Sequence, residues 1–208
     1  ADLLAEQPTD RALLRLFAEL VAPGPVLDAG CGTGELSAHL AGLGLDVWGI
    51  DLSSEMVARA RERHSELTFR VGSMLALGAD GAGIDDGSLA GVLAHYSTIH
   101  LPTDQLPAVF AEFRRVLRPG GHAMINFQVR AEVLAYDTLQ GHPVALHYPV
   151  RSYEEVLALL VEAGFVPYAT TVRSPVASWE SVDQAYLLVT RGSDRAGGRP
   201  GSAEGESL

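Results

Sequence analysis

Residues 26–34 read Val26-Leu27-Asp28-Ala29-Gly30-Cys31-Gly32-Thr33-Gly34. A short apolar run opens into three alternating glycines, and Glu35–Leu43 then follows with helical spacing. The pattern is strand, tight loop, helix. Glycine permits positive φ and removes the Cβ that would keep a ligand away from the backbone. The helix start that follows presents unpaired N–H groups and the positive end of a dipole.

The same alternation runs outward from this loop. Leu13, Leu16, Phe17 and Leu20 recur at helical spacing, which predicts a helix over 9–21 ended by Pro23-Gly24-Pro25. Downstream, Val47–Ile50 reads as the second strand, Ser54–His64 as a helix and Leu67–Val71 as the third strand. Residues 78–87 read as a Gly/Asp-rich loop and Leu89–Leu93 as the fourth strand. Leu106, Val109, Phe110, Phe113, Val116 and Leu117 mark one face of an amphipathic helix, with Pro119-Gly120-Gly121 as its expected stop. Ala123–Phe127 is the fifth strand. Ser152 and Glu155 have capping-box spacing for a helix to about Ala163, closed by Gly164. Strands at about 165–172 and 184–190 end the series.

Strands alternating with helices predict an α/β fold, a doubly wound parallel sheet with helices on both faces. The last two strands have no helix between them, so they predict an antiparallel hairpin at one edge. Residues 1–191 are expected to form one domain, 128–150 a long connection and 192–208 a polar, Gly-rich, disordered tail.

Composition narrows the function. Among 208 residues, 47% are hydrophobic, enough for a substantial core, and no apolar run reaches membrane-spanning length. The N-terminus has no secretory pattern, and the missing initial Met suggests trimming there. The single cysteine, Cys31, excludes an internal disulfide and a cysteine-rich metal site, and fits a cytoplasmic location. The net charge of −11 disfavours a phosphate-backbone footprint, so a small molecule is the expected partner, with no nucleic acid and no membrane.

Asp51 ends the second strand, where a carboxylate can accept hydrogen bonds from both ribose hydroxyls of a nucleoside. The bland alternative is a tight turn and a surface Asp. The dinucleotide pattern G-x-G-x-x-G would place glycine at 35, where Glu35 stands. Asp28, just ahead of the loop, suits a ligand carrying positive charge and would repel a pyrophosphate. S-adenosylmethionine (SAM), with its sulfonium and ammonium, meets both conditions.

Val26–Gly34 resembles motif I of the class I SAM-dependent methyltransferases. Ile50-Asp51-Leu52-Ser53 with Met56 resembles their motif II, Arg115–Gly121 the segment entering strand five, and Ala163-Gly164-Phe165 the entry to strand six. The resemblance implies a Rossmann-like, seven-stranded, mostly parallel sheet in the order 3-2-1-4-5-7-6, with SAM as cofactor and S-adenosylhomocysteine (SAH) as product. It implies that Gly30, Cys31 and Gly32 line the methionine part of SAM with Asp28 near its ammonium. Asp51 would hold the ribose, and Leu52 and Met56 would flank the adenine. Many relatives carry an acid after the strand-three glycine. Here Ser73 or the Met74 backbone stands in that place.

The end of strand four, Ala94-His95-Tyr96-Ser97-Thr98-Ile99-His100-Leu101, is expected to face the transferred methyl. It lacks the Asn/Asp-Pro-Pro-Tyr arrangement of nucleic-acid amino-methylating enzymes and carboxylates for a divalent metal, so no metal is expected. Ala94 and Tyr96 are expected in the cofactor shell, with His95 beside them or in the packing. His100 is the candidate general base, since imidazole titrates near neutrality; the alternative is a histidine packed against the next helix. Residues 128–150, with Tyr136, His142, His147 and Tyr148, and the N-terminal helix are both candidate lids. A protein of this fold that binds SAM or SAH without transferring methyl is the alternative function, since function lives in the site. A nicotinamide-dependent reductase and an RNA methyltransferase fit less well. The sequence is compatible with a monomer or a homodimer.

Overall fold

A computed structural model describes residues 8–129, 134–139, 142–176 and 180–193. The chain begins with helix α1 (Pro8–Val21), followed by β1 (Pro25–Ala29), α2 (Glu35–Gly42), β2 (Asp46–Asp51), α3 (Ser54–Arg63) and β3 (Thr68–Val71). Next come β4 (Leu89–His95), 3₁₀ turns at Thr98–His100 and Thr103–Gln105, α4 (Leu106–Val116) and β5 (Leu117–Gln128). The chain continues with β6 (Leu134–Leu139), β7 (His142–Tyr148), α5 (Tyr153–Glu162), β8 (Phe165–Arg173) and β9 (Gln184–Arg191).

Seven strands form one sheet in the order β3-β2-β1-β4-β5-β9-β8. Since β6 and β7 pair only with each other, this is the expected order 3-2-1-4-5-7-6. β1 to β5 are parallel neighbours; β9 runs antiparallel to both β5 and β8.

Two apolar layers hold the sheet. On one face α1 buries Leu14, Phe17, Ala18 and Val21 against Val26, Val47, Leu93, Met124 and Leu188. On the other, α4 and α5 bury Phe110, Phe113, Val156 and Leu160 against Ile125, Phe127, Leu187 and Val189. The α1 contact is close. A Cβ on Gly91 of β4 would stand 2.7 Å from Val21 Cγ1 and 2.9 Å from Phe17 Cζ, so only glycine admits the helix at this depth.

Caps fall where the sequence places them. Ser152 Oγ accepts from Glu155 N–H at 3.1 Å, and Gly164 ends α5 with φ 90°. Two expectations are corrected. Pro119-Gly120-Gly121 does not stop α4, because Leu117 is already extended and β5 runs through all three residues. They form an irregularity in the β4–β5 ladder, which jumps from Leu89↔Leu117 to Gly91↔His122, with Gly120 at φ 76°. Nor is the connection 128–150 an irregular loop. It contains the antiparallel hairpin β6–β7, whose second strand lies beside the Thr98–His100 turn. Only the backbone of this hairpin is described, so the side chains expected to matter there, Tyr136, His142, His147 and Tyr148, are outside the description, and the C-terminal tail from 194 onward lies outside the described residues.

Replacing Gly91 with Val is expected to cost about 1–3 kcal/mol by overpacking against α1. A urea unfolding curve checks this, and wild-type stability in the variant would contradict the observed packing.

Candidate functional site

The parallel strands end together at one edge of the sheet, and the loops leaving β1, β2, β3 and β4 enclose a cleft of about 470 Å³. This size and place suit a nucleoside-sized ligand, since open α/β sheets bind ligands beyond the carboxyl ends of their strands.

The glycine loop is fixed by β2. The N–H groups of Gly30 and Cys31 both donate to the Ile50 carbonyl, at 2.8 and 2.9 Å. Gly32 N–H donates to Asp51 Oδ2 at 2.9 Å and Ser53 N–H to Asp51 Oδ1 at 2.8 Å. Gly30 is left-handed, φ 84°, and a Cβ there would overlap Ser97 Cβ at 2.3 Å. A Cβ at Gly32 would meet nothing within 4 Å, so the loop presents bare backbone to open space. Ser97 Oγ in turn donates to the Ala29 carbonyl at 2.6 Å, which ties the segment after β4 to the end of β1.

Of the residues expected to bind cofactor, the cleft gathers Gly30, Asp51, Leu52, Ser73 and Met74, together with the candidate base His100. Gly32 adjoins it through the Asp51 hydrogen bond. Met56, on α3, is exposed but stands outside the lining. Cys31 is buried beneath the loop, packed where a Cβ on Gly49 would fall, and burial pushes its thiol well above the ordinary range. Ala94 is fully buried in the core and Tyr96 turns away toward β9, so neither lines the cleft.

Asp28 also sits below the cleft, 1% exposed. Ser37 Oγ donates to its Oδ2 at 2.6 Å. Ser37 is the third residue of α2, and Gly34 at the N-cap has no side chain to cap with, so Asp28 serves that helix end from the neighbouring strand. Burial, with the Asp51 charge adding to it, pushes the Asp28 carboxyl up to about 6. Asp28, expected near an ammonium group, thus stands under the glycine loop and not on the lining of the cleft.

His100 stands on the rim of the cleft. Burial holds its imidazole below the ordinary value and Asp51 pulls weakly the other way. The ring is therefore neutral at pH 7, as a proton acceptor must be. Its segment is held by a residue the sequence did not single out. Arg151, 2% exposed, donates from Nη1 to the Thr98 carbonyl at 2.7 Å and from Nη2 to the Leu101 carbonyl. A guanidinium suits two divergent carbonyls because its donors are fixed in a plane. The cleft is also lined by Ile50, Ser53, Gly72, Ser97 and Leu101, which belong to segments the sequence pointed to but were not named as binding residues.

Comparison with known proteins places this geometry in a family. Residues 26–121 match the family described as "Methyltransferase domain". A putative methyltransferase of Bacillus subtilis, YqeM, is 34% identical over 158 residues, covering 74% of this chain and 58% of the relative. A ubiquinone biosynthesis O-methyltransferase of Xanthomonas campestris is 32% identical over 168 residues, covering 78% and 63%. The crystal structure of a SAM-dependent methyltransferase from Methanosarcina mazei superposes with TM-score 0.75 at 16% identity, covering 85% of this chain and 97% of that one, and so shares the fold. Residues 26–121 are thus a methyltransferase domain, and the sheet has the fold of a SAM-dependent methyltransferase. It spans about half the length of the curated relatives it matches.

Asp28 gives a pH-dependence with a definite sign. Its carboxyl is raised in the folded state, from 3.8 to about 6, so the folded protein holds the proton more tightly than the unfolded chain. This stabilises the ligand-free protein below pH 3.8, and the contribution is lost as pH rises to about 6. The loss amounts to about 3 kcal/mol at ~1.4 kcal/mol per pKa unit. Asp28→Asn is expected to remove this step from a plot of unfolding free energy against pH; a step of the same size in the variant would assign it to another group.

Proposed function

We propose that this protein transfers a methyl group from SAM to a small-molecule acceptor. The observation that carries the reading is the Asp51 carboxylate, held by two backbone N–H groups at the mouth of the glycine loop. Two ionised oxygens offer about four lone-pair positions. The N–H groups of Gly32 and Ser53 take one on each oxygen, which leaves one on each for the two hydroxyls of a ribose.

The rest of the cleft fits the same ligand. Gly30 and Gly32 leave room for a chain laid against the backbone, and Leu52 and Met74 offer apolar surface for a purine. Asp28 and Asp51 give the loop negative charge, the sign that favours a sulfonium and an ammonium and opposes a pyrophosphate. SAM supplies an activated methyl on a positively charged sulfur. The chain's own residues then have to align the acceptor, exclude water and hold a proton. His100, neutral and on the cleft, is placed to accept the acceptor's proton as it is methylated. The hairpin β6–β7 lies beside the turn that carries His100, which supports a role for 128–150 in covering the acceptor side.

Relatives point to acceptors of low molecular weight, as the name of the ubiquinone biosynthesis O-methyltransferase indicates for that enzyme. The acidic chain, net charge −11, supports a small acceptor over a nucleic acid. The single cysteine supports a cytoplasmic site of action. Among the described residues no helix is long and apolar enough to cross a membrane.

Calorimetric titration is expected to show micromolar binding of SAM and SAH and none of NAD. Binding of NAD alone, or of none of the three, would refute the reading. Asp51→Ala should weaken SAM by at least about tenfold, the worth of one lost hydrogen bond to a charged group. Once an acceptor is known, His100→Gln is expected to lower kcat about 100-fold with SAM affinity retained. The wild-type rate should fall on the acid side, below pH 6.5, as His100 takes up a proton. An unchanged pH profile in the variant would remove His100 from the proton transfer.

A further inference from the structure

His100 stands on a weak element. It belongs to a single 3₁₀ turn, Thr98–His100, closed by Leu101 N–H donating to the Thr98 carbonyl at 3.1 Å. One turn fixes several dihedral angles for one hydrogen bond, so it does not hold its own shape in water. The turn is held from elsewhere. Arg151, 53 residues along the chain from Thr98, donates from Nη1 to that same carbonyl at 2.7 Å and from Nη2 to the Leu101 carbonyl. Its Nε reaches Thr103 Oγ1 at 3.4 Å, in the turn that leads into α4. One guanidinium thus spans both ends of the segment, with His100 between them.

Arg151 is itself firmly placed. Ser152, next in the chain, caps α5 by accepting Glu155 N–H, and α5 buries Val156 and Leu160 in one cluster with Phe110 and Phe113 of α4. The Arg151 side chain is 2% exposed. Among the described residues its hydrogen-bond partners are two carbonyls and a hydroxyl. Burial disfavours its charge, and the Glu155 carboxylate opposes that. A buried charge is costly, and apolar side chains of similar volume often serve stability as well or better. Stability therefore does not account for a guanidinium here; the two carbonyls it bridges do.

We propose that Arg151 is a positioning residue for methyl transfer: by bridging the Thr98 and Leu101 carbonyls it holds His100 at the rim of the cleft, so the place of the proton acceptor is set from α5. This rests on the reading of His100 given above. Arg151 lies outside residues 26–121, the segment that matches the methyltransferase domain, whereas the glycine loop and Asp51 lie inside it. The cofactor cleft and the place of the proton acceptor are then set by different parts of the chain. Lysine at 151 would keep the charge but not the bridge, since an ammonium on a flexible stem lacks the fixed planar fork.

The test follows the His100 ring by NMR in the wild type and in Arg151→Lys, its signal assigned by its loss in His100→Gln. In the wild type the ring is expected to titrate below the ordinary 6.5. In Arg151→Lys it should return to that value, because the freed turn gives the imidazole to water; Asp51 is the charge that acts on it in both. The Leu101 amide should exchange with solvent at least about tenfold faster in the variant, the worth of a lost hydrogen bond from a charged group. The Gly32 amide, bonded to Asp51, should keep its rate, and SAH affinity should hold. An unchanged His100 titration would overturn the proposal. So would faster exchange of Gly32 and Leu101 together with loss of SAH binding, which is what a purely structural arginine predicts. Exchange of the wild-type Leu101 amide at the rate of an unfolded chain would do the same without any variant. In turnover, Arg151→Lys should cost nothing further in a His100→Gln background, because it acts through His100; an added loss of rate would overturn that role. If His100→Gln itself leaves the methylation rate unchanged, the proton-acceptor reading falls, while the NMR comparison still decides whether Arg151 sets the ring.

Discussion

The carbonyl of Ile50 and the carboxylate of Asp51, consecutive at the end of β2, together accept N–H groups from Gly30, Cys31, Gly32 and Ser53. Everything at the site depends on this bracket. It fixes the loop after β1 against β2 and stops the glycine backbone from collapsing into the space a ligand needs. It also aims the remaining lone pairs of Asp51 at the cleft. Ser97 extends the bracket to β4 through the Ala29 carbonyl. A preorganised site of this kind spends its ordering cost during folding and not at binding.

The bracket carries an electrostatic cost. Asp28 lies fully buried under the loop with Asp51 near it, and its carboxyl is raised accordingly. Two carboxylates without a cation between them are unfavourable in a low-dielectric interior. A ligand with positive charge at the loop relieves that cost, and a ligand with a pyrophosphate adds to it. The electrostatics therefore choose between two cofactors that an α/β fold can hold.

The segment after β4 and the β8–β9 edge are secured by contacts between parts of the chain far apart in sequence. Arg151 holds the carbonyls of Thr98 and Leu101, and so sets the segment that carries His100. Asp10 joins α1 to β8 and β9 through Tyr186 and Arg173. Buried charged groups are costly unless paired and hydrogen-bonded, which this cluster achieves with a guanidinium bridging Asp10 and Glu180. Between these ties Tyr96 takes a left-handed backbone, φ 49°.

The sequence by itself determined the order of elements, the glycine loop and the acid after β2. Each is encoded locally: by apolar periodicity, by glycines where φ must be positive, and by a carboxylate at a strand end. Asp51 was legible as a carboxylate at the end of β2, facing the glycine loop. Asp28 was legible as an acid but not as a buried cap for α2, since burial depends on what packs over it. Pro119-Gly120-Gly121 read as a helix stop, yet β4 decides its conformation by pairing on both sides of it. The hairpin β6–β7 has no clean alternation, so its pairing was not visible in the chain. Arg151 and Ser97 carry no motif at all. Their roles arise from hydrogen bonds and burial between segments tens of residues apart, which only tertiary packing brings together.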